Sequence, residues 1–211
     1  MHSLWQEKIE FPYYPILKTD KQVDILYLEA SLQNAVEAHF QKEQGKSVMI
    51  MEEKTIADMT ELGGMGIIKG ETKEEIKDLH RLRDYIQGRN IPCDMVVESD
   101  TCIWVHPIKL FLFMTEGIDV YEQMKVMGRK GNKLDTGTVY ITADTVVEKK
   151  EKEPLYVHAF LSKEFPRIEK PYKEMRRYGD CWLICTEEKQ QKEVISPGLY
   201  DRIKTKIRRT L

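Results

Sequence analysis

The sequence predicts an α/β or α+β fold, in which about five helices pack on a mixed β-sheet. Three observations predict this fold. Helical and strand-like hydrophobic periodicities alternate along the 211 residues, a capping box begins a helix at Thr72, and two alternating segments near residue 150 have the pattern of a hairpin. We expect a single domain over 1–211, with a sub-boundary, if one exists, at the glycine-rich hinge 128–137.

The first half of the chain alternates between predicted helices and strands. Pro12 and Pro15 exclude a helix near the N-terminus, so residues 1–18 are expected to form an extended arm or an edge strand. Thr19 or Asp20 is the expected cap of the first helix. In chain order the predictions are a helix over 21–44, a strand over 47–51, a helix over 73–88, and strands over 93–98 and 102–106.

The second half contains the clearest strand pattern. Residues 108–114 are apolar enough for either a buried strand or the start of a helix, and a short helix is predicted over 117–127. Alternating apolar residues predict a C-terminal β-hairpin (138–148/155–161), joined by a charged loop, and a strand over 181–185. Ser196 as the cap and Pro197 at the first position predict a terminal basic helix.

Acidic and basic residues are separated along the chain. Residues 1–127 contain 14 Lys/Arg and 22 Asp/Glu, whereas residues 128–211 contain 19 Lys/Arg and 13 Asp/Glu. The two parts therefore carry net charges of −8 and +6, although the whole chain is only −2. Such asymmetry is typical of proteins with a polyanionic or membrane-surface partner.

Several classes of protein are disfavoured. No apolar run is long enough to span a membrane and no secretory signal is visible, so a soluble, cytoplasmic protein with reduced cysteines is expected. Cys181 and Cys185 are four residues apart, as are Cys102 and His106. On strands each pair would span about 13 Å, which is too far to share a metal ion or to form a disulfide. No metal and no cofactor is therefore predicted.

The basic C-terminal third is the leading candidate for a binding site. Its cations alternate with tyrosines, and this combination can neutralise phosphates and stack on unpaired bases. The candidate nucleic-acid-binding residues are Arg167, Lys170, Tyr172, Lys173, Arg176, Arg177, Tyr178, Arg202, Lys204, Arg208 and Arg209. A solvated charged surface without a ligand is the alternative interpretation.

The predicted hairpin also suggests a catalytic pair. If residue 147 lies opposite residue 155, Asp144 lies opposite His158 on the polar face, and cross-strand Cβ atoms are about 5 Å apart. A carboxylate beside an imidazole can orient a general base, so Asp144 and His158 are the candidate catalytic residues. A surface ion pair is the simpler alternative. The register also predicts that Val139, Ile141, Val147, Leu155, Val157 and Leu161 are buried.

Three further motifs are weaker. The loop GGMGIIKG at 63–70 precedes a helix but matches neither phosphate-binding glycine template, which favours a mobile loop. The acid–acid–Lys segment at 52–54 and Glu148-Lys149-Lys150 each end a strand, as acids do in metal-dependent nucleases, but the accompanying acid is missing. His39 lies on the apolar face of the first predicted helix, where a satisfied structural histidine is the usual case.

Together these features predict a nucleic-acid-associated accessory or regulatory protein that binds, with no cofactor, through its C-terminal third. The expected partner is single-stranded nucleic acid. One alternative is electrostatic self-association, in which the acidic half of one copy contacts the basic half of the next. A hydrolase or nuclease that uses the Asp144/His158 face of the hairpin is the second alternative.

Overall fold

A computed structural model describes residues 9–56, 66–148, 156–161, 174–178 and 181–186. The chain divides into two compact units, residues 1–150 and residues 151–211. The fold is of the α/β type with a mixed sheet, as the sequence predicts. Three helices lie in the described residues, where about five were predicted for the whole chain.

A six-stranded mixed sheet is the centre of the first unit. Its strands are β1 (Lys21–Tyr27), β2 (Val48–Met51), β6 (Asp119–Tyr121), β7 (Gly128–Lys130), β8 (Lys133–Asp135) and β9 (Tyr140–Val147). Their order across the sheet is β6-β2-β1-β9-β8-β7. Strands β1, β2, β6 and β9 run parallel, whereas β7 and β8 form an antiparallel hairpin at one edge.

The predicted helix over 21–44 is wrong in its first half. Residues Lys21–Tyr27 form β1, and the helix α1 covers only Leu32–Glu43. Ser31 caps α1 through its Oγ, which accepts a hydrogen bond from the backbone N–H of Asn34 at 3.2 Å. The apolar spacing over 21–44 resembles that of a single helix, but it spans a buried parallel strand and the helix that follows it. The apolar residues of the strand therefore add to the helical pattern of α1.

A small antiparallel sheet accompanies the second helix. It consists of β3 (Ile67–Lys69), β4 (Val96–Ser99) and β5 (Cys102–Trp104), with β5 in the middle. The helix α2 (Lys73–Gly88) begins with the predicted capping box, because Thr72 Oγ1 accepts from Glu75 N and the Glu75 carboxylate accepts from Thr72 N. Residues 108–114 belong to the helix α3 (Pro107–Met114), which decides the alternative that the sequence leaves open.

One local prediction after α3 is wrong, and a second segment has regular structure that the sequence did not reveal. Residues 117–127 do not form a helix: Gly117 and Gln123 have positive φ angles, and the edge strand β6 lies between them. The segment 128–137, predicted to be a hinge, contains the β7–β8 hairpin of the main sheet. Gly131 lies in the turn of that hairpin with φ +61°, a conformation that glycine adopts readily and that a tight turn requires.

The predicted pairing of 138–148 with 155–161 is not supported. Strand β9 pairs with β1 on one side and β8 on the other. The second unit contains β10 (Tyr156–Leu161), β11 (Glu174–Tyr178) and β12 (Cys181–Thr186), and β12 pairs with both of the others. The strand predicted over 181–185 is therefore present, whereas the terminal helix predicted from Ser196 lies outside the described residues.

The core of the first unit lies on both faces of the central strands. Leu26, Tyr27, Met49, Ile50 and Phe111 are completely or almost completely buried. The hairpin prediction is correct for Val139 and Ile141, which are buried, whereas Val147 is only partly buried. The side chains of Leu155, Val157 and Leu161 lie outside the described part of the chain.

Candidate functional site

The candidate site lies at the carboxyl ends of β1 and β9. Strand β1 is followed through α1 by β2 on one side, while β9 lies on its other side, so the direction of the strand order changes between β1 and β9. In open α/β sheets ligands bind at this point, just beyond the carboxyl ends of the strands. Residues 28–31, which join β1 to α1, and Glu148 after β9 are located here.

The turn over 28–31 is fixed by hydrogen bonds to neighbouring parts of the first unit. The backbone N–H of Leu28 donates to the Val147 carbonyl at 3.0 Å, which joins the turn to the end of β9. The Asn34 side-chain amide donates to the Glu29 carbonyl at 2.9 Å. Ser31 accepts from the backbone N–H of Asn34 through its Oγ and from that of Ala35 through its carbonyl, so it caps the first turn of α1.

Glu52 completes this closure from the end of β2. Its Oε2 accepts from the backbone N–H of Ala30 at 3.0 Å, and its Oε1 accepts from the backbone N–H of Lys54 at 3.0 Å. The residue is only 2% exposed. The backbone of Glu52 is also bound, since its N–H donates to the Tyr121 carbonyl and its carbonyl accepts from Met124. The carboxylate is therefore part of the interior of the turn.

Acidic residues surround this part of the sheet. Glu29 is 3% exposed, and Glu148 pairs on the surface with Arg129 at 2.5 Å. Tyr27, the last residue of β1, is fully buried, and burial raises the pKa of its hydroxyl well above the usual range, with the charge of Glu37 adding to the effect. Tyr27 therefore remains protonated at neutral pH. The site is a closed, acid-rich turn.

The fold is similar to that of known oxidoreductases. The FAD-dependent oxidoreductase PA4991 from Pseudomonas aeruginosa matches 95% of this chain and 74% of its own length, with a TM-score of 0.52 and 13% identity. An L-amino acid deaminase from Proteus vulgaris that lacks its specific insertion sequence matches 96% and 78%, with the same TM-score and identity. At such low identity these likenesses establish the fold alone.

Other comparisons are more distant. Another structure of the Proteus vulgaris L-amino acid deaminase has a TM-score of 0.37 at 14% identity, covering 67% of this chain and 49% of its own. The chain thus spans about half the length of that protein, and 51% of the length of PqsL from Pseudomonas aeruginosa. No protein-family model and no curated protein matches the sequence.

FAD, which the name of the Pseudomonas aeruginosa PA4991 protein implies for that protein, does not fit the first turn of this chain. Dinucleotide sites of this type use glycines there, so that the pyrophosphate can approach the backbone and the helix N-terminus. Here Leu28, Glu29, Ala30 and Ser31 occupy the turn, and the N–H groups of Leu28 and Ala30 bind protein atoms. A pyrophosphate at this position would also meet the carboxylate of Glu52.

The strand pairing that suggested Asp144 and His158 as a catalytic pair is not observed. Asp144 is an exposed residue of β9 in the first unit. His158 lies on β10 of the second unit, where its cross-strand partner is Ile184 and not Asp144. A joint catalytic role of Asp144 and His158 stays a prediction, without a cross-strand pairing to support it.

Few of the candidate nucleic-acid-binding residues are described. Arg176 and Arg177 lie on β11, as does the backbone of Tyr178. The guanidinium of Arg177 lies over the indole ring of Trp182 on β12, with 5.7 Å between Cζ and the ring centroid. The others lie outside the described residues: Arg167, Lys170, Tyr172, Lys173, Arg202, Lys204, Arg208 and Arg209.

The weaker motifs have structural roles where they are described. Gly70 packs against the start of α2, because a Cβ there would lie 2.6 Å from the backbone nitrogen of Ile76. Glu53 pairs with Lys125 on the surface at 3.1 Å. Within the described ranges, His, Cys, Asp and Glu side chains form no group of three that could hold a metal ion. No described helix is long and apolar enough to cross a membrane.

The polar partners of His39 are a feature that sequence reasoning missed. The His39 Nδ1 lies 3.0 Å from the Met114 carbonyl, and its Nε2 lies 2.7 Å from the Tyr85 hydroxyl. Tyr85 donates to Glu43 at 2.8 Å, and Glu43 also binds Arg89. Burial and the Glu43 carboxylate raise the pKa of Tyr85. The cluster joins α1, α2 and the end of α3, so it is the satisfied structural arrangement expected of such a histidine.

Proposed function

We propose that this chain is a non-catalytic binding protein whose ligand is single-stranded nucleic acid, held by the basic C-terminal third. The observation that carries the proposal is the pair formed by Arg177 and Trp182 within a region of net charge +6. Arg177 is exposed and Trp182 is partly buried, on adjacent antiparallel strands. Proteins that bind single strands combine such cations with aromatic rings on which bases stack.

The closed turn of the first unit supports a binding role over a flavin-dependent one. The N–H groups of Leu28 and Ala30 are already bonded within the protein, and Glu52 and Glu29 are buried at the position where a dinucleotide would approach. The first unit is then a scaffold, and the positive charge that can neutralise phosphates lies elsewhere in the chain. An accessory or regulatory role follows from binding without catalysis.

The proposal is tested by titrating a fluorescently labelled single-stranded oligonucleotide with the full chain. We expect saturable binding at about 50 mM salt that weakens by at least about tenfold at about 200 mM, because phosphate contacts release counterions. Arg177→Ala should weaken binding, whereas Arg89→Ala should not. Arg89 is a matched control because its guanidinium also lies over an aromatic ring, that of Tyr85, in the acidic first unit. Absence of binding at the lower salt concentration would contradict the proposal.

Self-association is the second candidate, and one further observation favours it. Val96 and Val97 are 53% and 44% exposed on β4, which is an edge strand of the small sheet. Exposed apolar edge strands are sites at which two chains pair. The separation of acidic and basic residues along the chain adds an electrostatic attraction between copies.

Sedimentation velocity at about 0.1 M and about 1 M salt separates the two modes of association. If acidic and basic parts of different copies attract one another, the oligomer should dissociate as the Debye length falls from about 10 Å to about 3 Å. A dimer that persists at the higher salt concentration and is lost in Val96→Lys would instead indicate pairing through β4. A monomer under both conditions would contradict self-association altogether.

A further inference from the structure

We infer that Glu52 is a built-in replacement for a bound anion: its carboxylate occupies the first strand–helix turn, so the chain folds without a dinucleotide and does not bind FAD. The inference does not depend on nucleic-acid binding by the C-terminal third. It concerns a position that is used for ligand binding in sheets of this topology, and that this chain uses for its own stability.

The position of Glu52 in the sequence is the first step of the argument. Dinucleotide-binding turns are followed about 20 residues later by an acid at the end of the second strand, which hydrogen-bonds the ribose. Glu52 immediately follows β2 and is 22 residues after Ala30, to which it bonds. Glu52 is thus at the position of the ribose-binding acid, but it binds the backbone N–H of Ala30 instead of a ribose.

The hydrogen bonds of Glu52 are the second step. An acid that binds a ribose must keep an oxygen available to the ligand. Here Oε2 accepts from the N–H of Ala30 and Oε1 from the N–H of Lys54, and the residue is almost fully buried. The Ala30 N–H belongs to the turn that would face the pyrophosphate. The carboxylate therefore satisfies the group that an external anion would satisfy.

The residues of the turn complete the argument. Glycines would let a pyrophosphate approach the backbone, but Leu28, Glu29 and Ala30 all carry side chains. Asn34 binds the Glu29 carbonyl from the helix side, and Leu28 is bonded to the end of β9. Together with the bond from Ala30 to Glu52, these two contacts hold the turn from α1, from β9 and from the end of β2.

Removal of the carboxylate tests the inference on the full chain. Glu52→Ala should lower the melting temperature by roughly 5 °C or more, because two backbone N–H groups lose their acceptor and that of Ala30 is buried. Acetate at about 0.1 M should restore part of this loss, whereas sodium chloride at the same ionic strength should not. Glu53→Ala, at the exposed neighbouring residue, should leave the melting temperature almost unchanged and insensitive to acetate.

A second variant and a ligand titration make the test decisive. If Glu52→Ala does not fold, Glu52→Gln, which retains one acceptor oxygen, should fold with a lower melting temperature than the wild type. The wild-type protein should show no change in flavin fluorescence or melting temperature with FAD. Saturable FAD binding by the wild type, a Glu52→Ala variant as stable as Glu53→Ala, or failure of acetate to act on Glu52→Ala would each overturn the inference. None of these readouts depends on oligonucleotide binding.

Discussion

Neutralising four arginines of the C-terminal third together should weaken binding of a single-stranded oligonucleotide by up to about 1000-fold at low salt. The variant carries Arg176→Gln, Arg177→Gln, Arg208→Gln and Arg209→Gln. Each lost phosphate contact removes a counterion-release contribution, so the dependence of binding on salt should become shallower as well as the binding weaker. Fluorescence anisotropy at several salt concentrations measures both effects.

The control for this variant changes the same number of arginines in the acidic part of the chain and at its boundary. Arg81, Arg83, Arg89 and Arg129 all lie in the described first unit. Their joint replacement by glutamine changes the net charge of the chain by the same amount. A similar loss of affinity in both variants would show that binding follows overall charge and that the C-terminal third is not the binding region.

Gly66→Ala should lower the free energy of unfolding by about 3 kcal/mol. Gly66 has φ +67°, which alanine rarely adopts, and a Cβ there would overlap the carbonyl oxygen of Val105. The same glycine accepts a hydrogen bond from Val105 N at 2.8 Å, so the backbone cannot move away without losing it. Urea denaturation followed by circular dichroism measures the change.

Gly88→Ala is the matched substitution with the opposite expected sign. Gly88 is the last residue of α2, and a Cβ there would have no atom within 4 Å. Alanine should therefore stabilise the protein by about 0.5–1 kcal/mol through its higher helix propensity. Equal effects of the two substitutions would mean that the close packing of Gly66 against Val105 does not limit stability.

Local signals in the sequence predict the elements that depend on them. The helix beginning at Thr72 is correct because a capping box is formed by residues only three positions apart. The alternation of Val139, Ile141 and Ala143 correctly identifies a strand with one buried face. In each case the decisive contacts lie within the segment or follow from its own periodicity.

Predictions that require a partner strand are less successful. The alternation over 138–148 shows that a strand is present, but not that it pairs with residue 21 onwards rather than with the next segment of the chain. The helix over 21–44 fails for a related reason: the apolar residues of a central parallel strand need not alternate, because both of its faces are buried.

The candidate site cannot be recognised in the sequence, because other residues replace the glycines that mark a dinucleotide-binding turn. With no glycine between Tyr27 and Leu32, the sequence carries no signal for a ligand-binding turn. The acid at position 52 stands out only as part of an acid–acid–Lys segment at the end of a strand. Its bond to Ala30 is a tertiary contact, which single-sequence periodicity does not reveal.

The position of β9 in the sheet also affects how the chain can fold as it is synthesised. β1 is a central strand, and one of its two neighbours is β9, which comes much later in the chain. The backbone N–H of Tyr140, at the start of β9, bonds to the side chain of Asp20, which lies 120 residues earlier, just before β1. Until residue 147 has emerged from the ribosome, one edge of β1 has no partner. The pairing of β1 with β9 must then overcome the entropy of closing the long loop between them. Nascent chains that end before β9 therefore expose one unpaired edge of an apolar strand, which makes them substrates for chaperones or aggregation.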